Sequence, residues 1–247
     1  MTAQTVDPRT TQPPTLTSEA PAPQLRRVAR IAGASYLFMF VLAIAANFVV
    51  LQGLVVEGDP LATTANIADS PGLMRAGILA FLLIVLLDIT LAWALKVVFR
   101  SVNRDLSIVM AWFRLAYGVM LGVALVFLVQ AVALATTVAP DVETQAAQTM
   151  QAIDAFQTTW TLGLSLFGVH LVLLGVLVAR SRFAPRLLGY VLAFAGLAYV
   201  ADTVARLALA DYSTVSGPFL ALVAVPSMVG EGWLGIWLLT TRRLRAG

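Results

Sequence analysis

AFQTTWTLGLSLFGVHLVLLGVLVA, residues 155–179, runs for twenty-five positions without an aspartate, glutamate, lysine or arginine. As a helix rising 1.5 Å per residue it is about 37 Å long, enough to cross a hydrocarbon core of about 30 Å. A looser conformation is excluded in lipid, where each unpaired backbone amide costs several kcal/mol and a helix satisfies its own. The run begins after Asp154 and ends on Arg180-Ser181-Arg182, so its two ends differ in charge.

The same punctuation recurs along the chain. Residues 31–56 carry no charge, 76–95 only Asp88, 106–140 only Arg114, 187–210 only Asp202 and Arg206, and 212–241 only Glu231. Each run has bilayer-crossing length, which predicts an all-α polytopic membrane protein, a bundle of six transmembrane helices near 30–52, 75–97, 106–134, 157–179, 187–209 and 217–240. Composition agrees. Of 247 residues, 60% are hydrophobic and only 12% charged, against about 25% charged in soluble chains. The mean hydropathy is +0.87. These values exclude a disordered chain, a solvated repeat and a nucleic-acid module. With no cysteine there is no disulfide framework, thiolate nucleophile or Cys-ligated metal.

Residues 1–25, rich in Thr, Pro and Gln, lack apolar periodicity and read as a disordered cytoplasmic tail ahead of a 26–247 membrane domain. If both termini share one side, that side collects thirteen of the sixteen Lys and Arg. They include Arg26, Arg27 and Arg30, then Lys96, Arg100 and Arg104, then Arg180, Arg182 and Arg186, and finally Arg242, Arg243 and Arg245. The positive-inside rule then puts both termini in the cytoplasm, with the chain in the inner (plasma) membrane. Two connecting segments carry structure of their own. Asp59-Pro60 reads as a helix cap that Asp69-Ser70-Pro71 ends. Residues 141–156 are either an interfacial amphipathic helix or an outward extension of the fourth span.

The ionisable groups inside the spans are the candidate site residues. Each costs about 2.5–3.5 kcal/mol at a helix centre and should face protein or water. Counted from the nearest cytoplasmic charge, Asp88, Arg114, His170 and Glu231 lie at roughly 12–17 Å, a common depth that lets them meet in a bundle. Asp88 and Arg114 sit on consecutive antiparallel spans and are the expected ion pair, either fixing helix register or binding a substrate. His170 is the only histidine. It reads as an interhelical hydrogen bond or as a proton relay with Glu231 or Asp88. Glu231 stands in Gly230-Glu231-Gly232 with Pro226 five residues earlier, on a span expected to bend around a polar spot. Asp202 and Arg206 form a secondary i, i+4 pair in the outer half.

Catalytic and cofactor motifs are missing. Gly163-Leu164-Ser165 lacks the closing glycine of a nucleophile elbow, and no P-loop, dinucleotide fingerprint or His-Glu-x-x-His occurs. One histidine with scattered carboxylates makes a poor metal site, so neither metal nor cofactor is implied. The partners expected are the lipid bilayer and a small-molecule ligand or a proton, with no nucleic acid. A non-enzymatic ligand- or proton-binding membrane protein is the leading reading. A structural or regulatory partner with buried pairs is the second, and an intramembrane enzyme the third.

Four stretches carry a family likeness. They are Arg30-Ile31-Ala32-Gly33; Leu87-Asp88-Ile89 with Lys96 and Val102-Asn103; Phe113-Arg114; and Gly168-Val169-His170-Leu171 continuing through Pro185-Arg186 to Tyr199-Val200-Ala201-Asp202. Pro226, Glu231 and Trp237 fit the final span. In this set, over about residues 26–243, the chain resembles the bacterial DUF4386 family of integral membrane proteins of unknown function. The resemblance implies the topology and the candidate residues but no reaction. It also implies a glutamate three residues after the third-span arginine, where this chain has Tyr117.

Overall fold

The computed structural model describes residues 22–242. Among these the secondary structure is helical. Helix α1, Ala22–Ile44, continues through a π-helical stretch, Ala45–Leu51, and a last turn, Gln52–Leu54. A short helix α2, Pro60–Asp69, precedes α3, Pro71–Phe99, and α4, Arg104–Ala135. Then follow α5, Val142–Arg180, α6, Arg186–Ala208, and α7, Ser216–Thr240. Six of these, with the π stretch carrying α1 onwards, are long and apolar enough to cross a membrane.

Local chemistry sets most of the ends. The Asp59 side chain accepts from the Ala62 amide at 2.9 Å and Pro60 takes the first helical position, so α2 starts where the cap was read. Asn103 caps α4 through the Leu106 amide at 2.9 Å, and Asp141 caps α5 through the amides of Glu143 and Thr144. The segment 141–156 is an outward extension: α5 is one continuous 39-residue helix. The first helix also starts earlier than its uncharged run. Residues 22–25 are helical, and Leu25 is buried in line with Ala29, Ala32 and Tyr36, so the apolar stripe reaches past the arginines. The remainder of the N-terminal tail, and Arg243 and Arg245, lie outside the described residues. Helix α7 passes through Pro226 without a break.

The long helices pack in sequence order, α1 on α3, α3 on α4, α4 on α5, α5 on α6 and α6 on α7. Helix α7 returns to α1 and closes the ring. An even number of spans brings both described ends to one face, where Arg26 Nη2 donates to the Arg242 carbonyl at 3.0 Å. At the other face α2 lies on the outer turns of α5 and is tied to the end of the first span. Asn66 Nδ2 donates there to the Leu54 carbonyl, and the Thr63 hydroxyl bonds both backbone groups of Val56.

Helices α5 and α6 approach backbone to backbone at two points. A Cβ on Gly175 would stand 2.5 Å from the Gly189 carbonyl oxygen, and one on Gly196 would stand 2.4 Å from that of Gly168. Only glycine permits the α5–α6 crossing, and the dispersion gained along it replaces a hydrophobic driving force that lipid does not supply. The outward side is largely apolar: Leu79, Val119, Val126 and Leu207 are each more than 60% exposed, a surface suited to acyl chains. The ionisable side chains Asp88, Arg114 and His170 point the other way, towards the middle of the ring, and are at most 1% exposed.

Candidate functional site

Arg114, from the first half of α4, is the largest fully buried side chain among the described residues. A guanidinium in that position must find partners for five N–H donors. Its Nη2 lies 2.7 Å from Asp88 Oδ1 on α3 and 3.7 Å from the Met39 sulfur on α1. Its Nη1 donates to the Tyr36 hydroxyl, also on α1, at 3.0 Å and to His170 Nε2 on α5 at 3.0 Å. The Tyr36 and Phe167 rings flank it, with centroids 5.1 and 5.3 Å from Cζ, so aromatic faces supply part of the lost solvation. One cation thus ties α4 to α1, α3 and α5.

The histidine is set by its two neighbours. Its Nδ1 is 2.9 Å from the Met110 carbonyl, which can only accept, so Nδ1 carries the hydrogen. Nε2 faces an arginine donor and must present its lone pair. His170 is therefore neutral, with both ring nitrogens engaged, and serves as an acceptor for Arg114. A relay that passes a proton through the ring would first have to break one of those two bonds.

Asp88 is less well served. The ion pair is close, yet neither carboxylate oxygen makes an aligned hydrogen bond, and Arg114 Nε is likewise without a partner. Buried polar atoms in that condition are few in folded proteins, and each calls for an explanation. Glu231 on α7 does not touch the guanidinium. It is half-buried and makes no direct hydrogen bond or ion pair among the described residues, but lies within Coulombic reach of Arg114, Asp88 and Tyr36. Of the four residues singled out by depth, three meet directly and the fourth faces them across the ring.

Three members of this centre escaped the sequence reading: Tyr36, Met39 and Phe167. Tyr36 offered a signal, a phenol two turns into an otherwise apolar span. Met39 and Phe167 offered none, since either type is ordinary in a core. Tyr117, at the position where the resemblance implies a glutamate, is buried. Its hydroxyl accepts from Trp160 Nε1 at 3.2 Å and its ring packs on Phe167 at 4.9 Å. An aromatic lattice therefore occupies that place. Ser165 donates to the Leu162 carbonyl at 2.7 Å and is not joined to His170.

The outer pair is a separate cluster. Arg206 Nε lies 3.0 Å from Asp202 Oδ2. The Tyr212 hydroxyl donates to the other oxygen of the same carboxylate, and the guanidinium sits 4.3 Å from the Tyr212 ring. The cluster fastens the end of α6 to the connection leading into α7. Among the described residues, no three His, Asp or Glu side chains are grouped as a metal ion would require.

Comparison with known proteins gives a family and no activity. Residues 31–241 match the family described as Domain of unknown function (DUF4386), and the chain belongs to it. A protein from Archaeoglobus fulgidus described as uncharacterised is 29% identical over 166 residues, which cover 67% of this chain and 83% of that one. No solved structure matches.

Proposed function

We propose that this DUF4386 member is a non-enzymatic, proton-binding membrane protein whose binding centre is formed by Asp88, Arg114 and Glu231, with His170 and Tyr36 holding the arginine in place. The observation that carries this reading is an imbalance of charge. Two carboxyl groups, one on each helix that flanks α1, share the field of a single guanidinium, Asp88 in direct contact and Glu231 at longer range, in an interior where an unpaired charge is costly. A proton on one carboxyl resolves the imbalance. Transfer of Arg114 from one acid to the other, as that proton moves, would alter how α3 and α7 pack on α1, the helix they share as a neighbour. The lack of an aligned hydrogen bond to Asp88 beyond its ion pair and the half-buried position of Glu231 both suit such an exchange. The distribution of arginine and lysine favours cytoplasmic termini, with the centre in the inner half of the bilayer.

The test is a pH titration of the purified protein in lipid nanodiscs, followed by Trp233 and Trp237 fluorescence and by hydrogen exchange in α3 and α7. The wild type is expected to pass through a reversible transition that Glu231→Gln removes and Asp88→Asn displaces. Superimposable titrations of all three proteins would overturn the proposal.

A second reading is favoured by the saturation of His170: the centre only fixes helix register. It requires exchanging the two charges, Asp88→Arg with Arg114→Asp, to restore native thermal stability. The proton-binding reading expects no such recovery, because Tyr36 and His170 are set to accept from a cation at position 114.

A further inference from the structure

The ends of α5 and α6 on the face carrying both termini enclose a groove of about 470 Å³ that neither the buried centre nor the outer cluster uses. Its rim holds Arg180, the last residue of α5, Arg186, the first residue of α6, and Tyr190, all exposed. Its floor is formed by Gly175, Val176, Ala179, Gly189 and Ala193, and the absence of bulk there follows from the backbone contact between the two helices. No acidic side chain lines the groove, and neither arginine takes part in an ion pair among the described residues.

We propose that this groove binds one anionic phospholipid of the surrounding bilayer, its phosphate held by Arg180 and Arg186 and the upper part of one acyl chain laid on the small-residue floor. Guanidinium groups bind phosphate oxygens in pairs, and basic pockets between transmembrane helices are suited to anionic headgroups. The level matches as well, since both arginines sit at helix ends, where the headgroups begin, while the floor descends into the hydrocarbon. The tyrosine, apolar along its ring and polar at its tip, fits the boundary between the two. The volume lies within the range of small-molecule sites, and the apolar floor opens towards lipid, which selects a membrane lipid over a free phosphate ion. This proposal stands on residues remote from Glu231 and does not depend on the proton-binding reading.

The experiment is native mass spectrometry of the full chain in neutral detergent with phosphatidylglycerol or phosphatidylcholine of identical acyl chains. Inorganic phosphate alone is a third arm. Phosphatidylglycerol is expected to stay bound selectively. The double variant Arg180→Gln, Arg186→Gln should weaken its retention roughly thirtyfold, the loss of two interfacial cations. Arg180→Lys, Arg186→Lys should recover part of it, and Arg27→Gln, Arg30→Gln, on the same face but outside the groove, should leave it unchanged. Val176→Trp, which fills the groove and keeps both arginines, should also abolish retention, so the test stands even if the double glutamine variant misfolds. Equal retention of the two lipids, equal loss in the Arg27 and Arg30 variant, or binding satisfied by inorganic phosphate alone would overturn the proposal.

Discussion

Asp88–Arg114 and Asp202–Arg206 are the same two side chains in opposite surroundings. The inner pair joins two helices, is at most 1% exposed, and has an arginine that also reaches a tyrosine, a histidine and a methionine sulfur. The outer pair lies within one helix at i, i+4, with its arginine side chain 41% exposed and its aspartate 11% exposed. At the outer site the arginine is already in contact with solvent, and Asp202, though buried, would keep the Tyr212 hydroxyl as a donor if Arg206 were removed. At the inner site, each is the principal remedy for burying the other. The difference separates a pair on which the interior is organised from one that fastens a loop.

Arg114→Ala should break the comparison most forcefully. It leaves Asp88 buried without a counter-charge, at a cost of about 3–5 kcal/mol, and the melting temperature in detergent should fall accordingly. Asp88→Ala combined with Arg114→Ala should be less damaging than Arg114→Ala alone, because no charge is then stranded. A double variant less stable than the single one would contradict this account of the pair.

His170→Ala should come next. It removes an acceptor from a buried guanidinium and costs about 1–3 kcal/mol in the same melting experiment. An effect within error would mean that the contact at 3.0 Å carries no energy.

Arg206→Ala is expected to cost only about 0.2–1 kcal/mol. Added salt should shrink that effect while leaving the Arg114→Ala effect in place, since buried pairs are poorly screened. Equal salt sensitivity at the two sites would erase the distinction drawn between them.

The smallest effect concerns pH. Burial, aided by the hydrogen bond to Asp202, pushes the Tyr212 hydroxyl up to about 12 from an ordinary value of 10.0. With a raised folded value, the stabilisation is complete below the unfolded value and is lost as pH rises through the folded one. The outer cluster should therefore loosen only in strongly alkaline solution, and a tyrosinate absorbance step above the ordinary tyrosine range should disappear in Tyr212→Phe. Tyr212 is only half-buried, so the associated change in stability should be slight.

The fold was legible because bilayer crossing depends on run length and charge, both of which are one-dimensional. The Asp88–Arg114 pair was legible for a related reason: consecutive antiparallel spans are neighbours, and residues counted to the same depth can meet. His170 followed by the same count. What could not be read was the closure of the ring. Tyr36 and Met39 reach Arg114 only because α1 packs on α3, and Glu231 faces the centre only because α7 returns to α1. Neither adjacency is encoded in spacing. The joining of residues 141–156 to α5 stayed open for a different reason, since an amphipathic pattern fits an interfacial helix and a protruding one equally well. The π stretch at Ala45–Leu51 had no signal in composition. It brings Val50 against α3 at Gly77, where even a methyl group would lie 2.6 Å from a Val50 methyl carbon.

The claim that two acids share one guanidinium is tested most directly by infrared spectroscopy of the protein in nanodiscs near neutral pH. The account predicts the C=O stretch of a protonated carboxyl group in the wild type, absent from Glu231→Gln if that residue holds the proton and from Asp88→Asn if the other does. A wild-type spectrum without such a band, with both side chains ionised beside Arg114, would contradict it.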